Sequence, residues 1–404
     1  MTLSEELQWR GFYNQTTFET PATLDEQQFT LYLGTDPTGD SLHVGHLAVY
    51  MMVRRFLDHG HKIVLLVGGG TGVIGDPGGR TDERSVLPLD QIADNKRALA
   101  SQVSSLFSGR DFTLVDNYDW LKDVSVLDFL RDAGKHFGMS QLVQRDYIAS
   151  RMGLDGGGIS YAEFSYTILQ GYDYWHLHKQ LGVNLQIGGS DQWGNILSGV
   201  ELIRKKEAAT VQGMTAPLVI NKSTGRKFGK SEGGAVWLNA EKTSVYKFYQ
   251  FWLNTDDVAA VEYLKLFTLL SKDEIDGIQE RHESELSARH AQKALAYQIT
   301  SLVHGKEGAD SAVRVTDVLF GKASFTELSE SDVALLALEI PTAVQGISVV
   351  DALLAADVVT SKGEARRLLS GGAVSLNGEK LVDDSVLSQQ CLLKKGKNTF
   401  ILVR

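Results

Sequence analysis

The chain has 404 residues and a net charge of −10, enough for two or three domains of about 150 residues each. Hydrophobic residues at 43% and charged residues at 22% suit a globular protein with a sizeable core and argue against a disordered or fibrous one. No apolar run approaches the ~18 residues of a membrane span, the acidic start lacks a signal-peptide pattern, and the lone Cys391 forms neither a disulfide framework nor a zinc cluster; the expectation is a cytoplasmic protein with no membrane partner and no metal site.

In chain order, residues 29–34, 62–68, 112–116, 184–187 and 217–220 read as short apolar strands, with amphipathic helical stretches at 43–58, 90–107 and 161–181 between them. This alternation predicts an α/β fold with a Rossmann-like parallel sheet. From about 240 to 320 the pattern is wholly helical, and 322–345 reads as a polar, irregular linker. The last block, 347–404, holds a basic helix at 362–369, Gly371-Gly372 and a strand–turn signal at 373–378. From residue 341 onward eight basic residues face six acidic ones, so this segment carries +2 and the rest −12. An acidic chain is a poor nucleic-acid binder overall, but this asymmetry permits a local RNA-binding tail.

The first strand feeds Asp36-Pro37-Thr38-Gly39-Asp40-Ser41-Leu42-His43-Val44-Gly45-His46. Asp40 or Ser41 is the expected N-cap of a helix carrying His43 and His46 on one face. A helix N-terminus seats phosphate, and Gly45 lets a base or ribose approach the backbone. Imidazoles in that place donate hydrogen bonds to charge developing on a phosphoryl group. Two surface histidines, or half of a metal site, would look the same. A distant loop, Lys227-Phe228-Gly229-Lys230-Ser231, offers two ammonium groups that can close on β- and γ-phosphates, although a solvated basic turn has this composition too. Together the two motifs suit a nucleoside triphosphate.

Gly70-Thr71-Gly72-Val73-Ile74-Gly75 satisfies G-x-G-x-x-G after a strand, but Asp76-Pro77-Gly78-Gly79 follows at once and is turn chemistry, so a dinucleotide fingerprint is not supported. A P-loop pattern is absent from the sequence. Further on, Tyr166, Gln170 and Asp173 share one face of a helix whose neighbours look buried, and buried polar groups need partners. The next strand ends in Gly188-Gly189-Ser190-Asp191-Gln192-Trp193-Gly194-Asn195, a glycine-rich edge with a carboxylate where open α/β sheets bind ligands.

These residues resemble the bacterial-type tyrosyl-tRNA synthetases of class I over nearly the whole chain, from Leu7-Gln8-Trp9-Arg10-Gly11 onward. His43-Val44-Gly45-His46 matches the family's His-Ile-Gly-His signature, and Lys227-Phe228-Gly229-Lys230-Ser231 its Lys-Met-Ser-Lys-Ser. The resemblance implies that Tyr32 and Asp173 hydrogen-bond a substrate phenol, and that Asp76, Tyr166 and Gln170 hold its ammonium with Gln192 nearby. A site built around a hydroxyl rejects phenylalanine, which is a known property of these enzymes and no prediction of ours. Gly34, Asp36, Gly45, Gly189, Asp191 and Lys230 would bind ATP, with Thr38, His43 and His46 around its phosphates. Arg80 and Arg84 would join Lys227, Lys230 and Ser231 over the pyrophosphate. Leu33 and Arg80 stand where such relatives carry a cysteine and a lysine.

The implied reaction joins tyrosine to ATP as tyrosyl-adenylate and then transfers tyrosine to the 3′ end of tRNA(Tyr), with Mg2+ arriving on ATP. The implied organisation is a catalytic domain at 1–222 with a dimer-forming insertion near 117–151. The lysine loop and a helical anticodon-side domain follow at 223–325, then a linker at 326–345 and a small α+β RNA-binding domain at 346–404. Lys362, Arg366 and Arg367 would meet RNA phosphates, and the enzyme would be a homodimer. The rivals are a tryptophanyl-tRNA synthetase, disfavoured by Tyr32 with Asp173, and an RNA-binding relative that has lost catalysis, disfavoured by the intact histidine and lysine motifs.

Overall fold

Most strands of the first half are buried on both faces, Thr113–Asp116 being the partly exposed exception; in Lys62–Val67 every residue after the lysine is buried. Such strands need helical cover above and below. The computed structural model, which describes residues 1–78, 87–152, 158–220, 228–231 and 234–404, supplies it. β1 (Thr30–Thr35), β2 (Lys62–Val67), β3 (Thr113–Asp116), β4 (Leu185–Gly189) and β5 (Gln212–Ala216) form one sheet in the order β3-β2-β1-β4-β5. All of its pairings are parallel. Tyr32 lies level with Val64 on one side and Gln186 on the other. The chain winds outward from β1 to β3 and then restarts at β4, so a crevice opens beyond the C-terminal ends of β1 and β4.

The fifth strand is Gln212–Ala216, not the expected 217–220. Pro217 has no N–H to give the ladder, so the strand stops before it. The expected helices lie within a residue of α1 (Val44–Asp58), α2 (Leu89–Leu106) and α3 (Tyr161–Leu181). α1 turns Val44, Leu47, Met52, Val53 and Phe56 wholly inward. α3 starts at a capping box formed by Ser160 and Glu163 and stops at Gly182, whose φ of 67° ends the helix. Glu163 is also held by the buried Arg151, at 2.7 and 3.0 Å through two parallel hydrogen bonds. Removing one partner of such a buried pair typically costs about 3–5 kcal/mol. α4 (Trp193–Glu207) packs on α3 at very short range, because a Cβ at Gly199 would sit 2.5 Å from the Tyr174 ring.

The chain divides into two compact units, residues Met1–Leu238 with Asp256–Ala291, and Asn239–Thr255 with Gln292–Arg404. The helices of the 240–320 stretch are shared between them. Asp257–Phe267 and Lys272–Ser284 belong with the parallel sheet, while Val245–Leu253 and, from Gln292 onward, the helix His290–Leu319 belong to the second unit. The stretch 322–345, expected to be irregular, instead holds the helix Glu330–Ala337 and the short strand Thr342–Ala343. Ser329 caps that helix through the Asp332 N–H, a Ser-x-x-Asp signal the sequence reading passed over, and Phe325, Val333 and Leu336 pack with Leu392 and Leu402. The terminal block is a five-stranded sheet with the basic helix Lys362–Ser370 beside it. Its hairpin turns at Asn377 and Gly378, both at positive φ, as the sequence signal predicts. Among the described residues no helix is long and apolar enough to cross a membrane.

Candidate active site

A cleft of about 730 Å³ fills the crevice beyond β1 and β4. Tyr32, Gly34, Asp36, Thr38, His43, Gly45, His46, Asp76, Tyr166, Gln170, Asp173, Gly189, Asp191 and Gln192 all line it. Residues as far apart as Tyr32 and Gln192, 160 positions in sequence, are thus gathered at one sheet edge.

One end is built around buried hydroxyl and carboxyl groups. Tyr32 and Asp173 are 1% and 2% exposed, and the Tyr32 hydroxyl has no hydrogen-bond partner among the described residues. An orphaned buried hydroxyl costs free energy unless a ligand supplies the missing partner. The Asp173 carboxylate accepts from Asn117 Nδ2 and from Trp120 Nε1, each at 2.8 Å. Burial pushes its pKa up to about 7; the two hydrogen bonds pull the other way, and the charges of Asp36 and Asp116 add to the rise. Burial, and then the charge of Asp173, also holds the Tyr32 phenol well above its ordinary pKa.

A chain of hydrogen bonds runs from this end across the cleft. Asn117 Nδ2 donates to Thr71 Oγ1 at 2.8 Å, Thr71 Oγ1 to Asp36 Oδ1 at 2.6 Å, and the Tyr166 hydroxyl to Asp36 Oδ2 at 2.8 Å. The run Gly70–Gly75 makes one helical turn, Thr71–Ile74, and breaks at Gly75 with φ 82°. That break delivers Asp76 to the cleft, where Gln192 Nε2 donates to it at 2.6 Å and the Gly78 N–H at 2.9 Å. Tyr166 and Asp173 are buried and Gln170 is half-buried, so this face of α3 is not a solvent face.

The other end is the start of α1. His43 itself is the N-cap, in place of the expected Asp40 or Ser41, because its Nδ1 accepts from the Gly45 N–H at 3.0 Å. His46 Nδ1 in turn accepts from the His43 N–H at 3.2 Å. A neutral imidazole whose Nδ1 accepts carries its proton on Nε2. The rings stack 3.8 Å apart, and burial followed by the neighbouring His43 pushes His46 down to about 3, so it is uncharged at neutral pH.

The second motif docks on this helix start. Val236 receives the Val44 N–H on its carbonyl at 3.0 Å and donates its own N–H to Gly229 O at 2.9 Å. Gly229 has φ 92°, and a Cβ there would lie 2.9 Å from Val44 Cγ2 and 3.1 Å from Gly45 N. Glycine is required on both counts. Phe228 anchors the junction on Tyr263 and Phe267, with ring centroids 4.6 and 5.5 Å away. Lys230 and Ser231 are described by their backbone alone, as a strand against Gly234–Ala235. Arg80, Arg84 and Lys227 lie outside the described residues. In the second unit, Arg366 and Arg367 are exposed on the basic helix, and the Lys362 ammonium lies 2.7 Å from Asp351.

Sequence reading missed Thr71, Asn117, Trp120 and Trp237, the last edge-on to His43 with ring centroids 6.0 Å apart. Nothing in their spacing points to a site. Asn117 and Trp120 matter because β3 ends beside α3, a tertiary fact.

Residues 24–321 match the family described as tRNA synthetases class I (W and Y), and residues 332–404 match the tyrosine–tRNA ligase SYY-like C-terminal domain. The chain is 44% identical to the tyrosine–tRNA ligase of Staphylococcus haemolyticus, over 99% of this chain and 98% of that one. It is 45% identical to the same enzyme of Macrococcus caseolyticus, over 99% of each. The crystal structure of a C-terminally truncated mitochondrial tyrosyl-tRNA synthetase from Aspergillus nidulans superposes with a TM-score of 0.69 at 32% identity, covering 77% of this chain and 92% of that one.

The raised pKa of Asp173 has a consequence for stability. Its folded value of about 7 exceeds the ordinary 3.8, so between those pH values the folded state holds a proton that the unfolded state lacks. Stability therefore falls as pH rises through that window and stays lowered above it. Asp173→Asn removes this titration, while its amide NH2 must face one of the two donors, a cost independent of pH. In thermal unfolding followed by circular dichroism the melting temperature of the variant relative to the parent is therefore expected to rise between pH 4 and pH 8.

Proposed function

The chain belongs to the class I tRNA synthetases of the tryptophan and tyrosine type, and on that premise we infer that it is a tyrosine–tRNA ligase. It activates L-tyrosine with ATP and transfers the tyrosyl group to the 3′ end of tRNA(Tyr). The observation that carries the choice of amino acid is the orphaned Tyr32 hydroxyl in the same cleft as the buried Asp173 carboxylate. A phenol O–H satisfies both, as donor to the carboxylate and acceptor from Tyr32. An indole offers a donor and no matching acceptor.

The substrate ammonium sits by Asp76, Tyr166 and Gln170, with Gln192 orienting Asp76. Gly34, Asp36, Gly189 and Asp191 receive the nucleoside of ATP. A tyrosine carboxylate oxygen then attacks the α-phosphorus in line. The new O–P bond forms as the α–β bridging bond breaks, and pyrophosphate leaves with the electron pair. Thr38 and the Nε2–H groups of His43 and His46 donate to the developing charge. Because His46 is neutral, it stabilises by a directed hydrogen bond and not as a cation. Lys227, Lys230, Ser231, Arg80 and Arg84 complete the pyrophosphate side. In the second step a terminal ribose hydroxyl of tRNA attacks the tyrosyl carbonyl carbon and AMP departs. Catalysis is positioning and charge stabilisation without a covalent enzyme intermediate. Mg2+ comes as the counter-ion of ATP; among the described residues no group of three or more His, Cys, Asp or Glu side chains is arranged to hold a metal.

The basic helix with Lys362, Arg366 and Arg367 meets tRNA phosphates, and the setting is the cytoplasm. The protein works as a homodimer through residues 117–151. Val126, Leu127 and Met139 there are 73%, 79% and 60% exposed, an apolar surface that a second copy would cover.

Three measurements test this reading. ATP–pyrophosphate exchange should depend on tyrosine; exchange driven by tryptophan instead would overturn the assignment. His46→Ala should slow adenylate formation by about a hundredfold or more, in line with the loss of one transition-state donor, while tRNA affinity in filter binding stays unchanged. Leu127→Asp should convert the dimer to monomer in sedimentation experiments.

A further inference from the structure

We propose that His176 is a positioning residue for recognition of the substrate phenol, acting through Trp120; the inference rests on the reading of the cleft as a tyrosine site. The Asp173 carboxylate is held by one donor on each oxygen, and the two donors are anchored very differently. Asn117 donates to both Asp173 and Thr71, and its Oδ1 accepts from the Gly70 N–H at 2.7 Å. Its amide plane is therefore pinned at three points. Trp120 lies on the four-residue helix Tyr118–Leu121, which has no side-chain cap. Among the described residues the indole N–H has a single bond, to Asp173, and the rest of the ring is held by packing alone, in part against the core around Tyr32, Tyr174 and Leu177.

The flat contact that aligns the ring plane is with His176. The imidazole lies parallel to the indole, with centroids 4.4 Å apart and 14° between the planes. His176 follows Asp173 by three residues on α3, so both project from neighbouring points of one helix face. One helix thus presents the carboxylate and the ring that braces its donor. Burial holds the imidazole below its ordinary pKa, so at neutral pH an uncharged ring makes the stack and no charge is desolvated.

Without the brace the indole N–H leaves Asp173 for part of the time, and the carboxylate turns to find another partner. A ligand with a phenol hydroxyl feels this change, whereas phenylalanine and ATP do not. In steady-state exchange with the full chain, His176→Ala should raise the tyrosine KM about tenfold, the typical worth of one well-placed hydrogen bond. Its kcat and ATP KM should stay within about twofold of the parent, and the preference for tyrosine over phenylalanine should fall by the same factor as the KM change. His176→Phe, which keeps a planar ring, should restore the parent KM. In a Trp120→Phe background, His176→Ala should have no further effect, because its influence runs through the indole N–H. Should the alanine variant fail to fold, His176→Leu fills the space without a flat face and takes its place. An unchanged tyrosine KM, a failed rescue by phenylalanine at 176, or an equal loss in the Trp120→Phe background would each overturn the proposal. Failure of the tyrosine reading itself shows separately, as absent tyrosine-dependent exchange in the parent, and would take the inference with it.

Discussion

The site depends on keeping the Asp173 carboxylate inside the protein with dipoles for company. A buried ionised group is costly unless its lone pairs are taken up. Here an indole N–H and an amide N–H do so, and the pKa stays raised nevertheless. That tension is useful. A cation would quench the carboxylate, whereas dipoles leave it able to accept a hydroxyl proton from a ligand.

The surrounding architecture follows from supplying those dipoles. Asn117 and Trp120 arrive from the segment after β3, Asp173 from α3, and Thr71 from the turn after β2. These meet because a parallel sheet sends every crossover back over the same edge. The hydrogen-bond chain through Asn117, Thr71 and Asp36 ties the Asp173 end of the cleft to Tyr166. At the start of α1 the logic differs. Two stacked imidazoles are fixed by backbone N–H groups and by each other, and the second motif is pressed against them through glycines at 45 and 229. Preorganised donors of this kind need no rearrangement when charge develops.

Much of this was legible in the chain itself. Strand and helix positions follow from apolar periodicity, with the exception of the fifth strand, where an apolar run starting at Pro217 concealed the real strand at Gln212–Ala216. The stretch 322–345 looked irregular because the polar run Thr326-Glu327-Leu328-Ser329-Glu330-Ser331-Asp332 and Pro341 bracket a short apolar run, 333–338, that has no helical period of its own; its helix is held by a cap and by packing against Leu392 and Leu402. The N-cap was misjudged because histidine is a rare cap, and only the side-chain geometry shows Nδ1 accepting from Gly45.

Residue type and spacing therefore determined the α/β class, the two nucleotide motifs and the polar face of α3, because periodicity and turn chemistry are local properties. Resemblance to a known family then attached roles to those residues. Tertiary structure alone decided which groups stand beside Asp173, that the Tyr32 hydroxyl has no partner among the described residues, and that His176 stacks on Trp120. Those facts depend on burial and on contacts between segments more than 50 residues apart, and burial is what turns an ordinary aspartate into a group with a pKa of about 7.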